Sequence, residues 1–277
     1  MKTVNCAHCD NDKSDVVVDL TGVNDYYLDY LKIDYDNTDR NYVKCTKCGL
    51  IYRKVVLDES QKKRMYAQFR DASLSRHGVS LKKETQAEYF EHMTQLPPGQ
   101  SDHQERVEFV TDVIGRQGVV LDIGCGGGVF LHRFKKKHPT WKALGVEPTK
   151  SKYFSDVAAK SDISIVNEYL NKDTFDIQFD LITIIHVLEH VEDHRTILSQ
   201  INDYLRDDGL LYVEVPSSDD IGVLPVEHDR YMCIHDFIFS LDVLETLLKE
   251  QFEIIYSGKF ISPSHRNQLR ALVKRKN

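Results

Sequence analysis

Val119-Val120-Leu121-Asp122-Ile123-Gly124-Cys125-Gly126-Gly127-Gly128-Val129-Phe130 decides how the rest of this 277-residue chain is read. The stretch opens apolar, like a buried strand, and closes on glycines. An amphipathic run over residues 130–137 follows. The pattern predicts a strand, a tight turn and a helix. Glycines let backbone N–H groups approach a ligand closely, and the helix N-terminus favours a negative group there. The dinucleotide fingerprint G-x-G-x-x-G/A is not met, because Val129 stands at its last position.

Composition bounds the answer. The chain is 41% hydrophobic and 29% charged, with a net charge of −7. Its length suits one large α/β domain and a smaller module. The acidic balance argues against a general nucleic-acid binder, which would show a basic face. The longest near-apolar stretch, residues 181–188, is far shorter than a membrane span and contains His186. The first residues have no apolar core for a signal peptide, so the expected location is cytoplasmic.

Outward toward the N-terminus lie two C-x-x-C pairs, Cys6/Cys9 and Cys45/Cys48. Each pair can place two thiolates on one metal, and together they predict a tetrahedral structural zinc site with no open position. His8, inside the first knuckle, is expected to be exposed and not a ligand. The spacer over residues 10–44 carries nine Asp against four basic residues, a poor surface for phosphates. Its tyrosines (Tyr26, Tyr27, Tyr30, Tyr35, Tyr42) read first as packing residues of a small sheet. Lining a cleft toward the next domain is the other reading. Residues 54–115 read as mostly helical, including 58–70 and 80–96, with Pro97-Pro98-Gly99 as a break.

Outward toward the C-terminus, residues 141–148 read as a second strand ending on Glu147, about 20 residues past the glycines, where an acid is placed for ribose hydroxyls. Residues 161–170 give a short third strand. Phe179-Asp180-Leu181-Ile182-Thr183-Ile184-Ile185-His186-Val187-Leu188-Glu189-His190-Val191 reads as a buried fourth strand running into a loop. Residues 197–205 form an amphipathic helix, 206–209 its stop and turn, and 210–216 the next strand. Ser240 is expected to cap a helix over 241–249. Residues 252–260 and 269–274 read as a final antiparallel pair.

The D-x-G-x-G-x-G spacing from Asp122 to Gly128 resembles motif I of the class I S-adenosylmethionine-dependent methyltransferases. The V-L-E-H-V run at Val187–Val191 resembles their motif IV, and L-x-x-D-G-x-L-x-V-x-V-P over residues 205–216 also resembles that superfamily. Cys48-Gly49-Leu50-Ile51-Tyr52 resembles the close of the zinc-binding domain that precedes many sugar-modifying members, and His235-x-x-x-Phe239-Ser240 resembles an element of sugar and capsule methyltransferases. The resemblance implies an α/β, Rossmann-like, doubly wound seven-stranded sheet with a small N-terminal four-cysteine zinc module. The expected division is 1–53, zinc module; 54–115, helical connector; 116–277, catalytic domain.

It further implies S-adenosylmethionine held by Asp122, Gly124, Cys125, Gly126 and Gly128. Glu147 would sit on the ribose, Asn167 (with Glu168 as second choice) by the adenine, and His186 beside the methionine part. His190, His235, Glu189 and His228 are the candidates for catalysis; for His190, fixing the loop through backbone hydrogen bonds is the competing role. Cys233 is an inert neighbour. Tyr66, Phe69 and Arg70 are within reach of the site, with packing as their plainer role. Because the chain closes soon after its last strands, the expected reaction is O-methylation of a sugar or of a capsule or lipopolysaccharide precursor. An RNA methyltransferase is the main rival: Glu189-His190 with a later histidine resembles the E-x-x-E-H metal site of small-RNA 2′-O-methyltransferases, but His186 stands where that motif has its first acid. A non-enzymatic module that kept the fold is the second rival. A small-molecule or glycan acceptor is the expected partner, and monomer or homodimer is left open.

Overall fold

The computed structural model describes residues 1–30, 32–35, 40–68, 86–149, 157 and 160–276. Its strands are β1 (Lys2–Thr3), β2 (Ser14–Val18), β3 (Tyr42–Cys45), β4 (Ile51–Arg53), β5 (Val55–Val56), β6 (Val119–Ile123), β7 (Lys142–Val146), β8 (Ser164–Val166), β9 (Phe179–Ile185), β10 (Leu205–Pro216), β11 (Phe237–Ile238), β12 (Phe252–Ile261) and β13 (Asn267–Arg275).

Seven strands form one sheet in the order β12-β13-β10-β9-β6-β7-β8. β8, β7, β6, β9 and β10 run parallel, and β13 enters antiparallel between β10 and β12. Strand order reverses at β6, with β7 and β8 on one side and β9 and β10 on the other. Such a switch point opens a crevice at the carboxyl ends of the strands, where ligands bind.

Alternation along β6 sorts its side chains between two cores. Val120 faces helices Asp102–Thr111 and Val129–Lys137, packing with Val107, Val110, Phe130 and Phe134. Leu121 and Ile123 face helices His194–Tyr204 and Leu241–Lys249, packing with Leu198, Ile201, Leu244 and Leu247. Both faces are covered, so the parallel strands read as continuous apolar runs. Each such fully buried side chain contributes about 1.5–3 kcal/mol.

Ser240 caps its helix as expected, its side chain accepting from the Val243 N–H. The helix expected over 197–205 starts earlier, because Asp193 accepts from the Thr196 N–H and sets the start at His194. The turn expected at 206–209 lies inside β10, whose pairing with β9 shifts between Leu205 and Leu210. Within the connector, helices Glu59–Gln68, Gln86–Gln95 and Asp102–Thr111 are described. β5 and its pairing with β1 replace helix at its start. Phe69, Arg70 and the side chains of Tyr26, Tyr30 and Tyr66 lie outside the described residues.

A four-stranded sheet, β11-β4-β3-β2, joins the two ends of the chain. β11 pairs antiparallel with β4, Phe237 opposite Tyr52 and Ile238 opposite Ile51. Cys6, Val43, Cys45, Leu50 and Tyr52 belong to the same core as Phe237, Phe239 and Leu244. No described helix is long and apolar enough to cross a membrane.

Candidate active site

Gly124, Gly126 and Gly128 all adopt positive φ, at 68°, 52° and 75°. L side chains rarely take that conformation, so glycine is required for this loop. At Gly124 space is closed as well, since a Cβ there would stand 2.4 Å from a Val187 methyl. Helix Val129–Lys137 begins at Gly128 with no side-chain cap. Its first N–H groups are thus offered to a ligand, which suits the carboxylate of an amino-acid moiety. Cys125 is buried behind this loop, packed among Phe130, Leu131 and Ala143.

Glu147 leaves β7 at the crevice. Its Oε2 accepts the Gly126 N–H at 2.9 Å and its Oε1 accepts the Thr149 N–H at 2.9 Å. The acid therefore fixes the glycine loop, and each carboxylate oxygen keeps a lone pair for a hydroxyl. Asn167 follows β8 and donates to the carbonyls of Glu147 and Thr149, at 3.4 and 3.3 Å. Glu168 is exposed and turned toward Asn171, which donates to it. Asp122 is buried in β6 and accepts from the Thr183 hydroxyl at 2.6 Å. Burial pushes its carboxyl up to about 7, even with that hydrogen bond opposing the shift.

The carboxyl end of β9 carries the histidines. His186 sits at φ 53°, strained for a non-glycine residue. Its Nδ1 lies 3.3 Å from Glu189 Oε1 and its Nε2 lies 3.3 Å from Glu214 Oε1. Burial opposes charging of this imidazole, but the two carboxylates outweigh it and raise its pKa. Glu189 is fully buried. Burial alone would raise its pKa, yet His186, His190 and His235 together hold it at about 2. The His190 and His235 rings stack at 5.2 Å between centroids and 21° between planes. Glu189, His190 and His235 thus converge, their ligand atoms all within 4.8 Å of one another. His228 is not in this cluster; its Nδ1 accepts the Arg230 N–H at 3.1 Å.

A family model described as "Methyltransferase domain" matches residues 89–257. The chain belongs to the methyltransferase domain family. The fold is that of class I S-adenosylmethionine-dependent methyltransferases. Similarity to individual relatives is shorter in reach. The (S)-coclaurine N-methyltransferase of Papaver somniferum is 32% identical over 104 residues, covering 34% of this chain and 28% of that protein. A ubiquinone biosynthesis O-methyltransferase of Erwinia tasmaniensis is 30% identical over 83 residues, covering 28% of this chain and 34% of that protein. The alignments thus span about a third of these relatives' length. Among solved structures, the 1,6-didemethyltoxoflavin-N1-methyltransferase of Burkholderia thailandensis, with S-adenosylhomocysteine bound, aligns at TM-score 0.52 and 20% identity, covering 64% of this chain and 80% of that one.

The methyltransferase braces its histidine loop from the N-terminal sheet. Tyr42 is fully buried and its hydroxyl donates to the His235 carbonyl at 2.5 Å. Arg53 donates to the Tyr231 carbonyl at 2.8 Å, and its N–H donates to the Asp236 carbonyl at 2.9 Å. Asp25, paired with Arg40 at 3.0 Å, accepts the Cys233 N–H at 2.7 Å. Cys233 itself is buried, and burial pushes its thiol well up. Tyr42 is thus a packing residue of the small sheet, and its hydroxyl ties that sheet to the histidine loop.

In the cysteine module, Cys6 Sγ lies 3.4 Å from Cys48 Sγ, and Cys9 Sγ lies 3.5 Å from Cys45 Sγ. All four sulfurs fall within 4.8 Å of one another, and tetrahedral thiolates on zinc stand about 3.8 Å apart. The set is capable of metal ligation. The Lys47 N–H and the Asn11 amide reach Cys45 Sγ at 3.4 and 3.5 Å, partners that orient a thiolate. His8 departs from expectation: it is buried, covered by the fold around the first knuckle, and burial lowers its pKa.

A buried network that residue spacing does not reveal stands behind His186. Arg106 donates to Glu214 Oε1 at 3.0 Å through Nε and 2.5 Å through a terminal nitrogen. The Tyr212 hydroxyl donates to Glu214 Oε2 at 2.5 Å. Arg106 Nη1 lies 3.3 Å from His103 Nδ1. Burial raises the cost of charge at Glu214, but Arg106 and His186 hold its carboxyl well below the usual range. A glutamate in mid-strand at Glu214 and an arginine on the apolar face of helix Asp102–Thr111 were the only available signals.

Proposed function

We propose that this methyltransferase moves the methyl group of S-adenosylmethionine to a hydroxyl of a small sugar or glycan-precursor acceptor. The observation that carries the reading is the convergence of Glu189, His190 and His235 beside Val187, which packs on Gly124 of the cofactor loop. When bound, the cofactor supplies an electrophilic methyl on a sulfonium. The glycine loop and the open N-terminus of helix Val129–Lys137 bind its amino-acid end, and His186 flanks it. Glu147 takes the ribose hydroxyls and Asn167 the adenine. Asp122 supports the loop through Thr183.

In-line transfer is mostly a matter of positioning. A hydroxyl must also lose its proton, which the Glu189–His190–His235 group assists. The cysteine module holds zinc in a structural role, with four ligands and no open position. The sugar assignment is supported by the resemblance of that module and of His235-x-x-x-Phe239-Ser240 to sugar-modifying members.

Methyl-labelled S-adenosylmethionine tests the reading. The protein is incubated with separate pools of nucleotide sugars, polysaccharide precursors and RNA. Label is expected in the sugar or precursor pools. Label confined to RNA would overturn the acceptor assignment.

A further inference from the structure

The buried Glu189 carboxylate faces His186 Nδ1 at 3.3 Å from Oε1, but among the described residues no donor completes a hydrogen bond of good geometry to either oxygen. Leaving a buried carboxylate so poorly satisfied is costly, and such groups in folded proteins are paired or coordinate metals. His190 Nδ1 donates to the Ile234 carbonyl. In the neutral ring its Nε2 then carries a lone pair. That nitrogen stands 3.9 Å from Glu189 Oε1, too long for a hydrogen bond. Two electron-pair donors facing each other across this gap match two ligands of one cation, which stand about 3.3 Å apart when each bond is about 2.0–2.1 Å. His235 supplies a third ligand from a separate segment, and its backbone is anchored by Tyr42. Both histidines are half-buried, so the cluster has an open side.

We infer that Glu189, His190 and His235 form a binding site for one divalent transition-metal cation, with open positions for acceptor oxygens. Two imidazoles and one carboxylate suit a first-row cation such as Mn²⁺ or Zn²⁺. The catalytic role of the site rests on the methyl-transfer reading above. An acceptor hydroxyl bound in an open position is acidified, as a metal-bound water is. Its proton passes to solvent, the oxygen–methyl bond forms, the sulfur–methyl bond breaks, and the sulfonium becomes a neutral thioether. No redox change is involved. A neighbouring hydroxyl on the same acceptor would chelate, which favours vicinal diols.

The test is titration of the purified full chain with Mn²⁺, followed by electron paramagnetic resonance, alongside calorimetric titration with S-adenosylhomocysteine. Mn²⁺ is a hard cation and does not compete for a four-thiolate site. Binding of one Mn²⁺ per chain is expected. Glu189→Gln and His235→Ala should each weaken it by at least about tenfold. His235→Ala should leave S-adenosylhomocysteine affinity unchanged, which shows that the variant is folded. A wild-type protein that leaves the Mn²⁺ signal unaltered, or variants that bind as wild type does, would overturn the site. Mn²⁺ binding without S-adenosylhomocysteine binding supports the cation site and removes the methyl-transfer reading. The converse result removes the cation site and leaves methyl transfer standing.

Discussion

As metal ligands, Cys6, Cys9, Cys45 and Cys48 would make a closed, soft set, whereas Glu189, His190 and His235 would make an open, harder one. The first set comes from two knuckles whose members are three residues apart. The second joins Glu189 and His190, just past β9, to His235, 45 residues after His190. Soft, closed thiolates secure a fold; a mixed set with open positions can engage a substrate. The two are mechanically linked, because the sheet that carries the cysteines also holds the loop that carries His235.

Breaking the first region should have the largest effect. Cys45→Ser should abolish stoichiometric metal and lower the melting midpoint by about 10 °C or more, as expected for a loss of about 4 kcal/mol. Metal analysis and thermal unfolding of the two proteins check this. A metal-free wild-type protein with its full stability would end the structural-zinc reading.

His194 lies at the seam between the regions. Its ring packs against Phe237 and Phe239, and its Nε2 donates to the Leu188 carbonyl at 3.2 Å. Burial lowers its pKa to about 4 from 6.5. The unfolded chain therefore binds more protons between these values. The stabilisation is present above pH 6.5 and is lost as pH falls through 4, on the order of 3 kcal/mol in all. His194→Gln should flatten that part of the curve. Urea unfolding at stepped pH measures it, and parallel wild-type and variant curves would show that His194 is not the titrating group.

Two smaller effects sharpen the contrast. Glu147→Ala removes a buried acceptor that ties the glycine loop, and S-adenosylhomocysteine should bind about 30-fold more weakly, near 2 kcal/mol. Unchanged affinity by calorimetry refutes the ribose role. Tyr42→Phe deletes the hydroxyl's hydrogen bonds to the carbonyls of His235 and Arg230 and nothing else of the side chain. It should cut methyl transfer by about tenfold, near 1.4 kcal/mol, with metal content and S-adenosylhomocysteine affinity unaltered. A fully active Tyr42→Phe would show that the bracing contributes nothing to the reaction.

What was legible in the residues follows from locality. β6 and its glycine turn, Glu147 at the next strand end and the Ser240 cap are each written within a dozen residues, where periodicity and turn chemistry act. β11 is two residues long and pairs across the chain, so no periodic pattern marks it. Arg106 shares the buried face of its helix with Val107 and Val110, and its partner Glu214 lies 108 residues away, beyond the reach of any local pattern. His8 is buried and not exposed for a similar reason, since its covering comes from the packing of separate segments. The proximity of His190 to His235 likewise rests on long-range hydrogen bonds, from the Asp236 N–H to the Glu189 carbonyl and from His190 Nδ1 to the Ile234 carbonyl, while each histidine alone is visible in its own motif.

The strand shared by the two ends of the chain sets a timetable. Tyr42 must wait for a carbonyl 193 residues further on. At synthesis rates of about 5–20 residues per second, that is a delay of about 10–40 seconds. For most of it the cysteine knuckles have been made while the four-stranded sheet still lacks its outer strand, β11. A metal captured by the nascent knuckles would protect their thiols over this interval, before β11 has been made.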